Sequence, residues 1–505
     1  MCLFVNAGTL MDSSVALGTP LPAGDDSYQA GYQEPRQTIT STSINDRLPP
    51  EMLAKIFDTF LESYLSQIDS PWKLGAVCRM WREIAWSTPV LWSTLVLQYS
   101  RRPRNLSAAR IELAMDWIGR SGCLPLSITI DYPLHNIFRN HRFETLSNQV
   151  HRKLCDLMEL VNSNAARWKY LHLHLPGDVL SLLDARSADG SSLLHTLSLR
   201  SCDVGGKVTI NNISKLSPKV VEISAIPLRR LDFNWQLVTQ LSMKARSIED
   251  VSQALEFAPA LRHCAFRPVF NSSRRTEPRK ITHSSVTSLE IGPYLGLHNG
   301  EDFFRAVNLP ALDTLTLREI PHRDLPLDDC QRFLSRSRNG LKTLKVELCS
   351  LSGDQIAHLG RVTTSIECLH ITSDLEKEDL LPVQLESFYA ALRCLPQSDD
   401  IEPESATPVF PLLREFHRTK TGEFYWEQEE LTALLEPLSL DSTRRRPLEL
   451  IKLHCRRYTK EPYLSRQVLD QLSRFADQVN FDFTVELDNG MIGDLWALSQ
   501  LHEFE

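Results

Sequence analysis

The chain has 505 residues, of which 42% are hydrophobic and 23% charged, and its formal net charge is −8. These are globular values, with length enough for more than one ordinary domain or one long repeat array. The acidic balance argues against a general nucleic-acid or anionic-membrane binder.

Eleven cysteines are scattered without a C-x-x-C pair, a pattern that fits reduced thiols better than a disulfide framework. The first residues, MCLFVNAGTLMDSS, lack the basic flank and apolar run of a secretory signal. No other stretch approaches the roughly 20 apolar residues of a membrane helix. The expected setting is therefore cytoplasmic or nuclear, with no membrane and no nucleic acid as partner. Residues 1–43, rich in Gly, Ser, Thr and Pro, are expected to be a disordered leader.

The segment 44–97 carries the most sequence character. Leu53, Ile56, Phe57 and Phe60 recur at helical spacing behind Pro49 and Pro50, where proline suits a first helical turn. After Asp69, Ser70 and Pro71, a second helix is predicted with Leu74, Val77, Cys78, Trp81, Ile84 and Ala85 on a wide apolar face, ended by Pro89. Spacing alone is equally compatible with a plain core hairpin.

The order of Leu48-Pro49-Pro50-Glu51, Ile56-Phe57, Val77-Cys78-Arg79, Trp81-Arg82, Thr88-Pro89 and Leu91-Trp92 resembles an F-box, in the variant that opens many leucine-rich fungal proteins. The resemblance implies docking onto a Skp-family adaptor and, through it, a cullin scaffold, with the rest of the chain selecting a protein target for ubiquitin ligation. It places the adaptor contact on Leu48, Pro49, Leu53, Ile56, Val77, Cys78 and Trp81. The linker between the helices departs from the family's pattern at Tyr64-Leu65 and Trp72.

Beyond Trp92 the pattern changes to short strands alternating with helices, first a helix over Leu106 to Gly119 and a strand over Leu126 to Ile130. An apolar triplet of the form L-x-x-L-x-L then recurs. Nine frames begin with Trp168-Leu171-Leu173 and Leu194-Leu197-Leu199, pass through Val220-Ile223-Ala225 and Val238-Leu241-Met243, and end with Ile366-Leu369-Ile371. Their mean interval of about 25 residues lies inside the roughly 20–29 of leucine-rich repeats.

One interval is only 18 residues, another is 29, and the asparagine usual after the triplet is mostly missing. Another α/β arrangement stays open on that ground. Helices are expected after Ser247, near Cys330 to Arg338, Glu301 to Val307 and Asp354 to Leu359, packed against the strands. Past Thr372 the rhythm fades, and an acidic loop is expected over 397–408. Strands at Leu413 to His417, Leu450 to Cys455 and Phe481 to Val485, with helices at Glu427 to Leu435 and Ser465 to Phe475, suggest that the array resumes.

These readings predict an α/β chain: amino-terminal all-α F-box helices over 44–97, then an irregular leucine-rich-repeat solenoid over 98–505, a parallel strand ladder with helices. In each triplet the residue between the last two apolar positions points away from the core. That column supplies the candidate target-binding residues His172, Ser198, Ser242, Glu290, Thr316, Lys345 and His370, with Ser224 and Ala265 between them. A solvated sheet surface would have the same composition.

No catalytic residue, cofactor or metal is expected. His172 and His174 could face one side of a strand, but no third ligand has convincing spacing. Walker, dinucleotide and G-x-S-x-G turns are absent from the sequence. Two basic clusters, 267–280 and Arg444-Arg445-Arg446, could meet an acidic partner, act in nuclear import or be solvated loops. The function expected is the substrate-recognition subunit of a Skp-cullin-F-box type ubiquitin ligase, itself no enzyme. The alternative is a leucine-rich protein-interaction scaffold without ligase function.

Overall fold

Three short helices open the described fold: α1 (Pro50–Glu62), α2 (Ser70–Val77) and α3 (Arg79–Ser87). The computed structural model describes residues 48–62, 70–98, 107–132, 148–188, 193–202, 208–245, 248–267, 279–292, 299–320, 325–337, 340–349, 351–374, 385–393, 408–421, 434–435, 446–458, 464, 466–487 and 492–502. The leader, the acidic loop over 397–407, Ser247 and most of the helix expected at Glu427 to Leu435 lie outside those residues.

The single second helix expected after Pro71 is in fact two. Cys78 adopts extended backbone, φ −157° and ψ 173°, and its Sγ accepts the Trp81 amide at 3.4 Å. It therefore caps α3 instead of continuing α2, satisfying an amide that a helix start would otherwise leave unpaired. Leu53, Phe57, Leu74, Ile84 and Ala85 are buried between the helices.

The remaining chain builds, beside a small parallel pair of Ile281–Thr282 with Val307–Asn308, a 15-stranded sheet in which every strand neighbours the sheet's next strand in chain order. Its strands are β1 (Thr94–Gln98), β2 (Leu126–Asp131), β3 (Trp168–Leu175), β4 (Thr196–Ser201), β5 (Val220–Ser224), β6 (Gln240–Met243), β7 (His263–Phe266) and β8 (Ser288–Ile291), followed by β9 (Thr314–Arg318), β10 (Thr343–Glu347), β11 (Cys368–Asp374), β12 (Glu415–Thr421), β13 (Leu450–Tyr458), β14 (Asn480–Leu487) and β15 (Ile492–Asp494). All neighbours are parallel except β14 and β15, which are antiparallel.

Burial alternates along the strands, as in Leu126, Ile128 and Ile130 or Leu171 and Leu173, all essentially inaccessible. A parallel sheet covered on both faces would show continuous apolar runs. Here one face is packed by returning segments and the other is partly open.

Those returning segments are helices in many places: α4 (Ala108–Arg120), α5 (Asn148–Ser163), α6 (Gly177–Leu180), α7 (Ile248–Phe257), α8 (Asn299–Ala306), α9 (Leu327–Leu334), α10 (Gly353–Val362), α11 (Glu386–Arg393) and α12 (Arg466–Phe475). The last helix is α13 (Leu495–His502). Between β5 and β6 the return is made by 3-10 turns at Leu228–Arg230 and Trp235–Leu237, which need fewer residues than a helix and loop.

One frame is corrected by the register. Leu197 pairs with Val221 and Val221 with Leu241, so β5 buries Val221 and Ile223, and the triplet is not Val220-Ile223-Ala225. Val220 and Val221 are both apolar, and the sequence offered two frames two residues apart. With the right one the flanking intervals of 26 and 18 become 24 and 20 residues. Ala225, Glu319 and Leu348 all take positive φ, at 63°, 51° and 54°, immediately after β5, β9 and β10. The corner after the strand is thus a recurring left-handed turn made without the expected asparagine.

The helical end joins the ladder through four tryptophans. Trp72, Trp86 and Trp92 pack edge to face at 5.3–5.7 Å, and Trp92 meets Trp117 of α4 at 5.2 Å. The Arg120 guanidinium lies 5.3–5.6 Å from the first three ring centroids, within cation–π range. Residues 50–505 form one compact unit. Among the described residues no helix is long and apolar enough to cross a membrane.

Candidate functional site

Two surfaces are candidates, the outer side of the three helices and the open face of the sheet. On the helices, Ile56 is 47% exposed, Met52 49% and Val77 60%. Met52 and Ile56 lie four apart and share one side of α1. Met52, Ile56 and Val77 thus put apolar surface into water on the helical segment.

The other residues named for this contact sit differently. Leu53 is 2% exposed and belongs to the helical core. Trp81 is half-buried against Phe57, with ring centroids 4.8 Å apart, and Cys78 is half-buried as the cap of α3. Leu48 is half-buried and Pro49 exposed.

On the sheet, direct cross-strand partners run His172, Ser198, Glu222, Ser242, Ala265, Glu290, Thr316, Lys345, His370, His417, Lys452 and Asp482. All seven candidate target-binding residues therefore stand in one row from β3 to β11. Glu222 takes the place in that row where Ser224 was expected, and Ser224 instead pairs with Arg200. Ser198 and Thr316 are nearly covered by their neighbours, at 2% and 7% exposure. Ser198 Oγ donates to Glu222 Oε2 at 2.9 Å, and Arg318 lies between Glu290 and Glu347 at 3.4 and 2.6 Å.

A shallow hollow of about 190 Å³ opens over β4 to β7, lined by Ser198, Arg200, Glu222, Ser224, Ser242, Lys244 and Arg267 among others. Its three exposed cations were not singled out as a group from the sequence. The available signal was a basic residue directly after the last inward apolar position, in Leu199-Arg200, Met243-Lys244 and Phe266-Arg267. Those cations outnumber the one carboxylate in the lining, so the hollow favours an anionic group.

Titration of this face follows its partners. The hydrogen bond with His174, Nδ1 to Oδ1 at 2.7 Å, holds the Asp131 carboxyl below the usual carboxylate range. Burial holds the His172 imidazole below its ordinary value, with nearby Asp131 pulling the other way. Further along the row, burial pushes the Cys368 thiol up to about 12 and the His370 imidazole down to about 4.

The basic clusters part company. Arg446 is 6% exposed and donates to the carbonyls of Leu392 and Val409 at 2.6–3.1 Å, so it braces the interior and is not a surface cation. Arg444 and Arg445, like 268–278, lie outside the described residues, while Arg279 pairs with Glu256 at 2.9 Å.

Residues 45–98 match the F-box-like family model, a match that spans the three helices and β1 and none of the later strands. An F-box-like domain thus occupies residues 45–98 of this chain. No curated protein matches it.

Proposed function

We propose that this chain is the substrate-recognition subunit of a Skp-cullin-F-box type ubiquitin ligase, in which the F-box-like domain docks the adaptor and the sheet holds a protein target. The observation that carries this reading is the F-box-like match at 45–98, since F-box domains generally bind Skp-type adaptors. The exposed Ile56 and Val77 supply apolar surface for that contact. We further read the ordered strand ladder with its returning helices as an irregular leucine-rich-repeat solenoid, whose open polar row and basic hollow would take a target bearing an anionic group.

In this reading the chain performs no chemistry. It raises the local concentration of target lysines beside the charged conjugating enzyme, converting an encounter into an intramolecular step.

The test is co-purification of the full chain with a Skp-type adaptor, comparing wild type with Ile56→Asp and Val77→Asp. Both side chains are exposed, so the charges should leave the fold intact, unlike a charge at buried Leu53. Adaptor recovered with wild type and lost with the variants supports the reading. No adaptor with wild type leaves the non-ligase scaffold as the better account.

A further inference from the structure

We propose that Cys368, His370, Glu415 and His417 form a site for a zinc-class divalent metal ion, a structural clasp between β11 and β12. The four residues are two directly opposed pairs, Cys368 with Glu415 and His370 with His417. Positions two apart on a strand share a face, so all four side chains rise from the open side of the sheet as a two-by-two array.

The donor atoms already converge. Cys368 Sγ is 3.1 Å from His370 Nε2 and 3.5 Å from Glu415 Oε2, and Glu415 Oε2 is 3.1 Å from His417 Nε2. The candidate ligand atoms of Cys368, His370 and His417 all lie within 4.8 Å of one another. Zn–S and Zn–N bonds of about 2.3 and 2.0–2.1 Å separate the donors of a tetrahedral site by about 3.3–3.6 Å, so small side-chain rotations would suffice. The two imidazoles are stacked, centroids 3.9 Å apart at 25°, so one ring must turn about its side-chain bonds to bring both nitrogen lone pairs onto a single ion.

The donor chemistry selects the ion. One sulfur, two imidazoles and one carboxylate suit zinc and its d-block neighbours, whereas calcium and magnesium take oxygen. Thiolate and carboxylate together neutralise a dication. Lys345 and Lys452 flank the histidine pair on β10 and β13, and Lys452 is already paired with Asp482 at 3.0 Å.

Position in the fold supplies the reason. Between Asp374 and Glu415 runs the longest connection between successive strands of the sheet. Closing a long connection costs chain entropy, and a metal cross-link at its two ends offsets that cost. Four protein ligands leave no open coordination position, which makes the site structural and not catalytic.

The experiment is Co²⁺ titration of the full-length chain, purified without a histidine tag. Saturable binding of one equivalent is expected, with tetrahedral d–d bands and a thiolate-to-cobalt charge-transfer band, all displaced by Zn²⁺. Cys368→Ser should lose the charge-transfer band, and His417→Ala should weaken Zn²⁺ binding by more than about 10-fold. Zn²⁺ should raise the melting temperature of wild type and not of His370→Ala/His417→Ala. Absence of the thiolate band in wild type overturns the proposal without recourse to any variant. Unchanged spectrum and affinity in folded Cys368→Ser and His417→Ala overturns it equally.

Discussion

Gly75 shows how a single residue decides the packing of the helical end. A Cβ built there would stand 1.8 Å from the Trp86 ring, and the Gly75 carbonyl accepts from Arg82 Nε at 2.8 Å. The tryptophan can lie across α2 only because no side chain intervenes. Gly75→Ala should therefore lower stability, by about 1–3 kcal/mol as overpacking usually does, and shift the urea midpoint of tryptophan fluorescence downward. An unchanged midpoint would mean that Trp86 has room to move. None of this was legible in the sequence, where Gly75 sits inside an otherwise helical pattern. Cys78 was misread for a related reason: its place in the apolar periodicity is right, but its backbone is extended, and only the Sγ bond to the Trp81 amide reveals the break.

At the scale of the element, the strands were the most legible part of the chain. Their inward positions, such as Leu171 with Leu173 and Leu315 with Leu317, are paired apolar residues two apart, and burial on one face forces that pattern. The pattern failed where two apolar residues stood side by side, at Val220 and Val221, and faded where an inward place is not apolar at all. Arg418 of β12 is opposed by Ile371 and Leu453, is 5% exposed, and has two guanidinium nitrogens with no hydrogen-bond partner among the described residues. A buried cation so placed carries a desolvation penalty that apolar neighbours cannot offset. Arg418→Leu should raise stability, by about 1–4 kcal/mol if the row closes over it, and thermal unfolding followed by circular dichroism would show it. A fall in melting temperature would mean that the guanidinium is held by segments beyond the described residues. The clustered cations Arg200, Lys244 and Arg267 were hidden for a different reason, since each belongs to a separate strand and only the register brings them to one hollow.

Across the whole molecule, each strand of the 15-stranded sheet pairs only with its neighbours in that sheet's chain order, so stability should be local as well as global. The tryptophan cluster is the link between the F-box-like helices and the first part of the ladder. Trp92 is fully buried, donates from Nε1 to the Ala85 carbonyl at 2.8 Å, and touches Trp72, Trp86 and Trp117. Trp92→Ala removes the centre of that cluster, and a buried tryptophan lost to a cavity costs about 3–5 kcal/mol. In a two-state globule that loss would weaken amide protection everywhere. In a ladder of nearest-neighbour contacts it should fall on the elements around it. Hydrogen exchange should therefore quicken by orders of magnitude in α1, α3, β1, α4 and β2, while β9, β10 and β11, many strands away, keep their wild-type protection. Uniform loss of protection would instead mean that the ladder unfolds as one unit and that the helical end is part of a single cooperative core. The expected gradient would locate the F-box-like domain as an end piece whose exposed apolar surface can be perturbed without dismantling the row on the sheet.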